Sequence, residues 1–210
     1  MRNFLLAIFI LTTPALVPAC QHFAFSKSDA TAFDMNSAAR SISALDQTAQ
    51  EAKAAYEAML GGALPPKQAF DRYSSSIDRF DGATADVKKA IDSVEKTAND
   101  FLASYAQQRE EIKNTDLRAA MLMRKEAIER QISDLKVELS AALAATDSLR
   151  RELVDLRTYF SASLNPQAIQ GAAVVGEKIN QSVDALGKST ARVTLELTDL
   201  ATSLSSRSAQ

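Results

Sequence analysis

The chain has 210 residues, which allows one or at most two domains, and it carries 24 Lys and Arg against 26 Asp and Glu for a net charge of -2. With both signs interspersed along the chain, nothing in the charge points to nucleic acid as a partner. A single Cys excludes an internal disulfide framework. Trp is absent, Gly and Pro number 6 and 5, and much of the hydrophobic share is Ala. Ala and Leu lose little entropy in a helix, so this balance suits long helices better than sheets.

The N-terminus opens with Arg2 and an unbroken apolar run from Phe4 to Leu11. The run is far short of the roughly 20 residues that span a bilayer and falls in the range of a signal peptide's apolar core. After Pro14 the chain reads Ala15-Leu16-Val17-Pro18-Ala19-Cys20. Val17 to Cys20 resembles the bacterial lipobox: an aliphatic residue, a tolerated Pro18, a small Ala19, then the cysteine. That resemblance implies cleavage before Cys20, with acyl chains on the Cys20 thiol and on the new amine, and hence a membrane partner through acylated Cys20. Several acyl chains on one residue anchor firmly, because each buried CH2 contributes about 0.8 kcal/mol. The next residue is Gln21 rather than Asp. By the same resemblance Gln21 is a sorting residue that sends the protein to the outer membrane, with its body facing the periplasm.

Residues 20–28 read as a short lipidated tether, which includes His22. Beyond it the apolar pattern has one period. Met35, Ala38, Ile42, Leu45, Ala49, Ala52, Tyr56 and Met59 lie alternately three and four residues apart, the spacing of a heptad seam. Gly61-Gly62-Ala63-Leu64-Pro65-Pro66 ends this stretch, with Gly suited to the C-cap and Pro to the next first turn. A second seam runs from Phe70 through Tyr73, Ile77, Phe80, Thr84, Val87, Ile91, Val94, Ala98, Phe101, Tyr105 and Gln108 to Ile112; Gly82 lies off it, so the helix is continuous there. Asn114 or Thr115 caps a third helix carrying Met121, Ile128, Ile132, Leu135, Leu139, Ala142, Thr146, Leu149, Leu153, Leu156 and Phe160. Asn165-Pro166 stops it. A fourth seam holds Ala172, Gly176, Ile179, Val183, Leu186, Thr190, Val193, Leu197, Leu200 and Leu204. The fold expected is all-α, an elongated antiparallel coiled-coil bundle of about four long helices over residues 29–205, after a signal peptide over 1–19 and before a frayed tail over 206–210.

Antiparallel pairing across the turn near Asn114 sets Phe80 opposite Leu149, Tyr73 near Leu156, Phe101 near Ile128, and Thr84 level with Thr146. Thr84, Thr146 and Thr190 interrupt otherwise apolar seams. Their hydroxyls can bond a carbonyl one turn back or each other; the expectation is a shared hydroxyl layer of Thr84 and Thr146 that sets register. Gly171, Gly176 and Gly187 mark either close approach or a weak start to the fourth helix.

The residues of catalysis are missing. Nucleophilic catalysis needs a Ser or Cys beside an oriented base, yet Cys20 is the acyl acceptor and His22 the lone histidine. A di-iron or zinc site lacks its histidines, and there is no Gly-rich phosphate loop. Asp92, Glu95, Glu110, Glu111, Glu126, Glu129 and Glu152 read as solvated face charges, with i,i+4 support between Glu126 and Arg130 and between Asp147 and Arg151. No enzyme activity, cofactor, metal site or catalytic residue is expected.

Three blocks carry a further resemblance: Ala90-Ile91-Asp92-Ser93-Val94-Glu95, Asn114-Thr115-Asp116-Leu117-Arg118, and Leu164-Asn165-Pro166-Gln167-Ala168-Ile169. With the order of helices from Gln50 to Leu204, they resemble an uncharacterised family of bacterial helical lipoproteins known only as a domain of unknown function. The chain departs from that pattern in lacking a Lys-His pair shortly before Asn165 and a proline inside the third helix. The resemblance implies architecture and location and brings no functional site. The function expected is a lipid-anchored periplasmic coiled-coil protein with a structural or protein-interaction role in the envelope, its protein partner unidentified. The alternative is a helical carrier or sensor of a lipid or hydrophobic peptide. An apolar cavity between helices would favour the carrier, and a filled seam the rod.

Overall fold

The structure, a computed structural model, describes residues 21–205. The expected signal peptide over 1–19, Cys20 and the expected tail over 206–210 lie outside the described residues. Four rods run in sequence: α1 (Gln21–Leu60), α2 (Pro66–Glu111), α3 (Thr115–Ala162), and a fourth made of α4 (Pro166–Ala172), a 3-10 turn (Ala173–Val175) and α5 (Gly176–Leu204). Among the described residues there is no strand. At 1.5 Å per residue α2 and α3 each reach about 70 Å.

The breaks fall where backbone chemistry puts them. Gly62 takes the left-handed φ of 64° after α1, a conformation that costs glycine little. Pro66 opens α2 where a missing N–H loses nothing. Asn114 caps α3, its side-chain oxygen accepting from the N–H groups of Asp116 at 2.9 Å and Leu117 at 3.1 Å. Asn165 does the same for α4, accepting from Ala168 N–H at 2.9 Å. Residues 21–28, expected as a tether, belong to α1. They contain no Gly or Pro, and a helix already anchored by packing extends at little cost per residue. The Ser28 hydroxyl donates to the Leu204 carbonyl, tying this end of α1 to the end of α5.

α1 packs on α2 and α5, and α3 packs on the same two. The rods therefore form a four-cornered, antiparallel bundle. Ala38, Ala49 and Ala52 on the α1 seam are buried, and such small side chains let α1 approach its neighbours closely. All eight α1 seam positions, from Met35 to Met59, are buried. So are the seam residues from Ile179 to Leu204 on α5.

Cross-helix pairs fix the register. Arg150 meets Asp81 at 2.6 Å and Lys136 meets Glu95 at 3.3 Å across α2 and α3. If Asp81 is level with Arg150, Thr84 is level with the residue after Thr146, so the two threonines lie within about 1.5 Å of the same height. The α2–α3 hairpin is as expected. Along α1 and α2, Thr31 donates to the Thr97 carbonyl at 3.0 Å and Ser93 to Asp34 at 2.9 Å.

The bundle is four-sided for only part of its length. The last buried residue of α2 is Ser104 and the first of α3 is Ile128; from Tyr105 to Ala127 none is buried. Seam residues Tyr105, Ile112 and Met121 are half-buried there. Toward the turn at Ile112–Asn114 the described parts of α1 and α5 end, and a seam between two helices can cover only a narrow strip.

Candidate functional site

Cys20, the expected lipid acceptor, lies outside the described residues. Gln21, the expected sorting residue, is the first residue of α1. In the sequence Cys20 directly precedes that helix end. It is the end shared by the α2–α3 turn and the end of α5, since Arg124 reaches the Ser203 carbonyl at 3.3 Å.

At the opposite end the packing is aromatic. Tyr56 and Tyr73 lie 6.2 Å apart by ring centroid, and Tyr73 and Phe160 6.3 Å apart edge to face. The Tyr73 hydroxyl donates to the Leu153 carbonyl at 2.9 Å, and Tyr56 donates to the Ala172 carbonyl at 2.7 Å. Burial raises the pKa of the Tyr73 phenol well above its ordinary value; the neighbouring Tyr56 adds to this and Arg157 opposes it. Two glycines of the fourth rod lie at this end. A Cβ on Gly176 would sit 3.4 Å from the Tyr56 hydroxyl, and one on Gly171 3.3 Å from the Tyr159 hydroxyl. A side chain at Gly176 would meet Tyr56 at ordinary contact distance, and one at Gly171 would press on the end of the exposed Tyr159. This cluster anchors rather than reacts, because both buried phenols are already spent on backbone carbonyls.

Along the shaft, the structure revises three expectations. Glu152 is buried, not a solvated face charge; it accepts from Ser182 at 2.8 Å and pairs with Lys178 at 3.3 Å. A buried carboxylate needs such partners to offset its lost hydration. The threonine layer also differs: Thr84 donates to the Phe80 carbonyl and Thr146 to the Ala142 carbonyl, both at 2.8 Å. Each hydroxyl is satisfied one turn back in its own helix, where a carbonyl is always within reach, rather than across the layer. Arg151, expected to pair with the Asp147 carboxylate, donates to the Asp147 backbone carbonyl at 3.2 Å.

Two acidic features were not legible in the sequence. Asp46 on α1 turns one oxygen toward Gly187, where a Cβ would lie 3.2 Å away. That oxygen is buried without a hydrogen-bond partner, and burial raises the carboxyl's pKa. Between α3 and α5, burial first and then Glu138 raise the pKa of Glu196, with Arg192 opposing and Asp134 adding. Among the described residues no group of His, Cys, Asp and Glu is arranged to hold a metal ion.

Along the seam the described side chains are closely packed. A gap inside the seam, among Met35, Ile91, Val94, Ala98, Ile132 and Leu139, measures about 10 Å³, the space of one water at most. A larger groove of about 830 Å³ lies on the outside of the α1–α2 pair, floored by Ala54, Ala55, Ala58 and Leu64 and rimmed by Asp71, Arg72 and Arg79. It opens to the surface, and the core residue Ala69 lies in its wall. No helix among the described residues is long and apolar enough to cross a membrane.

A family model described as "Protein of unknown function (DUF2959)" matches residues 19–198. No curated protein and no solved structure matches the chain.

Proposed function

The chain belongs to the DUF2959 family of unknown function, and from that premise we propose that it is a lipid-anchored periplasmic rod of the bacterial outer membrane that acts by holding another envelope protein. The filled seam carries this reading. The gap inside the seam, about 10 Å³, has no room for a lipid chain unless the helices part, whereas a rigid shaft of about 70 Å suits spacing or docking. The lipobox-like run from Val17 to Cys20 supplies the anchor, and Gln21 directs it outward. The reading includes no catalysis. The groove over Ala54, Ala55, Ala58 and Leu64 favours a second reading, an exterior site for a hydrophobic peptide.

The decisive experiment is crosslinking in intact cells with identification of the captured protein. An envelope protein bound along the shaft is the expected result. Recovery of free lipid between the helices would overturn the rod in favour of the carrier. Mass spectrometry should find Cys20 acylated, Cys20→Ser should release the protein from membranes, and Gln21→Asp should move it inward. An unmodified Cys20 in the native protein removes the anchor from the proposal.

A further inference from the structure

Among the described residues, three of the eight exposed large apolar side chains, Leu117, Leu122 and Met123, crowd into seven residues of α3. Their exposures are 58 %, 39 % and 70 %. All three lie in the hairpin section between Tyr105 and Ala127, where no residue is buried. Isolated surface apolar residues need no explanation, but a group on one unsupported tip does.

The position of the tip says what meets it. The pairs Thr31–Thr97 and Asp34–Ser93 run antiparallel, so stepping back along α1 to Gln21 advances α2 to about residue 107. The Lys136–Glu95 pair carries that height across to about residue 124 of α3. Leu117, Leu122 and Met123 therefore all lie beyond the first residue of α1, and the turn at Ile112–Asn114 overshoots it by on the order of 10 Å. Cys20 is the residue before Gln21. Acyl chains on Cys20 would bring the bilayer surface to this same height. A rigid tip that reaches about 10 Å further must then enter the headgroup layer, whose thickness is roughly 5 to 8 Å on each side of the hydrocarbon.

We infer that the α2–α3 hairpin tip is a second membrane contact, with Leu117, Leu122 and Met123 seated in the headgroup layer of the bilayer that holds Cys20; this rests on the anchoring reading above. The contact is apolar rather than electrostatic. Arg109 is paired to Glu110 at 2.6 Å and Arg118 donates to the Ile112 carbonyl at 3.0 Å, while Glu111 and Asp116 offset Lys113 and Arg124. A tip so nearly balanced in charge takes zwitterionic phospholipid as readily as anionic. Two contacts on one rigid body, the acyl chains and the hairpin, would hold the shaft at a fixed angle instead of letting it swing from a single point.

The chain has no tryptophan, so one introduced indole reports alone. Full-length processed protein carrying Leu117→Trp, reconstituted into phosphatidylcholine vesicles, should show blue-shifted emission and at least a twofold loss of intensity with brominated phosphatidylcholine. Leu195→Trp, exposed on α5 at 61 %, should show neither. The mass of the Cys20-containing peptide is read on the same sample. An indole at position 117 that stays unshifted and unquenched while Cys20 carries lipid overturns the hairpin contact and leaves the anchor standing. An unmodified Cys20 overturns the anchor, and quenching at position 117 would then support the hairpin as a contact in its own right. Equal quenching at positions 117 and 195 would mean that the shaft lies along the surface, and overturns the proposal.

Discussion

The two ends of this molecule are built on opposite terms. At the end of the α1–α2 turn, four rods meet around Tyr56, Tyr73 and Phe160, every ring is buried, and both buried phenols reach across to another rod's backbone. At the other end α2 and α3 run on past the described start of α1, and from Tyr105 to Ala127 no residue is buried. The same heptad pattern runs through both. What differs is the number of neighbours, which shows that a seam alone does not make a core. Burial here depends on whether a third and fourth rod are present to close the strip.

That contrast sets the largest expected effect. Tyr73→Ala removes a fully buried ring and a hydrogen bond, and should cost about 3 to 5 kcal/mol in urea unfolding. Leu122→Ala, on the projection, should change stability by no more than about 0.5 kcal/mol. Comparable losses at the two sites would mean that the projection is packed against something, and the difference between the ends would vanish.

Much of the shaft was legible because helix periodicity is local. Met35 to Met59 and Ile179 to Leu204 were assigned to seams by spacing and are buried as assigned. The stops at Gly62, Asn114 and Asn165 were legible for the same reason, since caps act on the adjacent turn. What escaped depends on the partner helix. Glu152 looks like any face charge until Ser182 and Lys178 arrive beside it. Asp46 shows its burial only once Gly187 lets α5 approach. The tyrosines' acceptors, Ala172 and Leu153, are 116 and 80 residues away in the chain. The loss of burial beyond Ser104 was hidden because Ile112 and Met121 keep the period, with Gln108 the polar member between, although the described part of α1 ends short of them. Of the expected site, neither the lipid on Cys20 nor the role of Gln21 is a matter of packing, so membrane chemistry must decide both.

Asp46 gives a smaller effect within the four-rod section. Burial raises its folded-state pKa above 3.8, so the folded protein holds that proton more tightly than the unfolded chain does. The ionised carboxylate therefore costs stability above the raised value, and the cost disappears as pH falls through it toward the ordinary one. Asp46→Asn should raise the urea midpoint at neutral pH, and the gain should shrink steadily as pH is lowered to about 4. A gain that is constant with pH would assign the effect to packing against Gly187 instead of to charge. Gly82, by contrast, sits exposed in mid-helix with nothing within 4 Å of a Cβ. Gly82→Ala should stabilise by about 0.5 to 1 kcal/mol, and a loss would mean that α2 is not regular helix there.

The smallest effect is a null coupling, and it separates height from contact. Thr84 and Thr146 stand at nearly the same level, on the evidence of the Asp81–Arg150 pair, and both are buried. Two hydroxyls facing each other across a layer would show a coupling of 0.5 to about 3 kcal/mol in a double-mutant cycle. Each is instead satisfied by its own helix, at the carbonyls of Phe80 and Ala142. Changing one to valine leaves the other's hydrogen bond intact, so no buried group is orphaned by either single substitution. The effects of Thr84→Val and Thr146→Val should therefore add, with a coupling below about 0.5 kcal/mol. A coupling above about 1 kcal/mol would show that the hydroxyls bond each other in solution, and the register of α2 on α3 would then rest on that layer instead of on the flanking ion pairs.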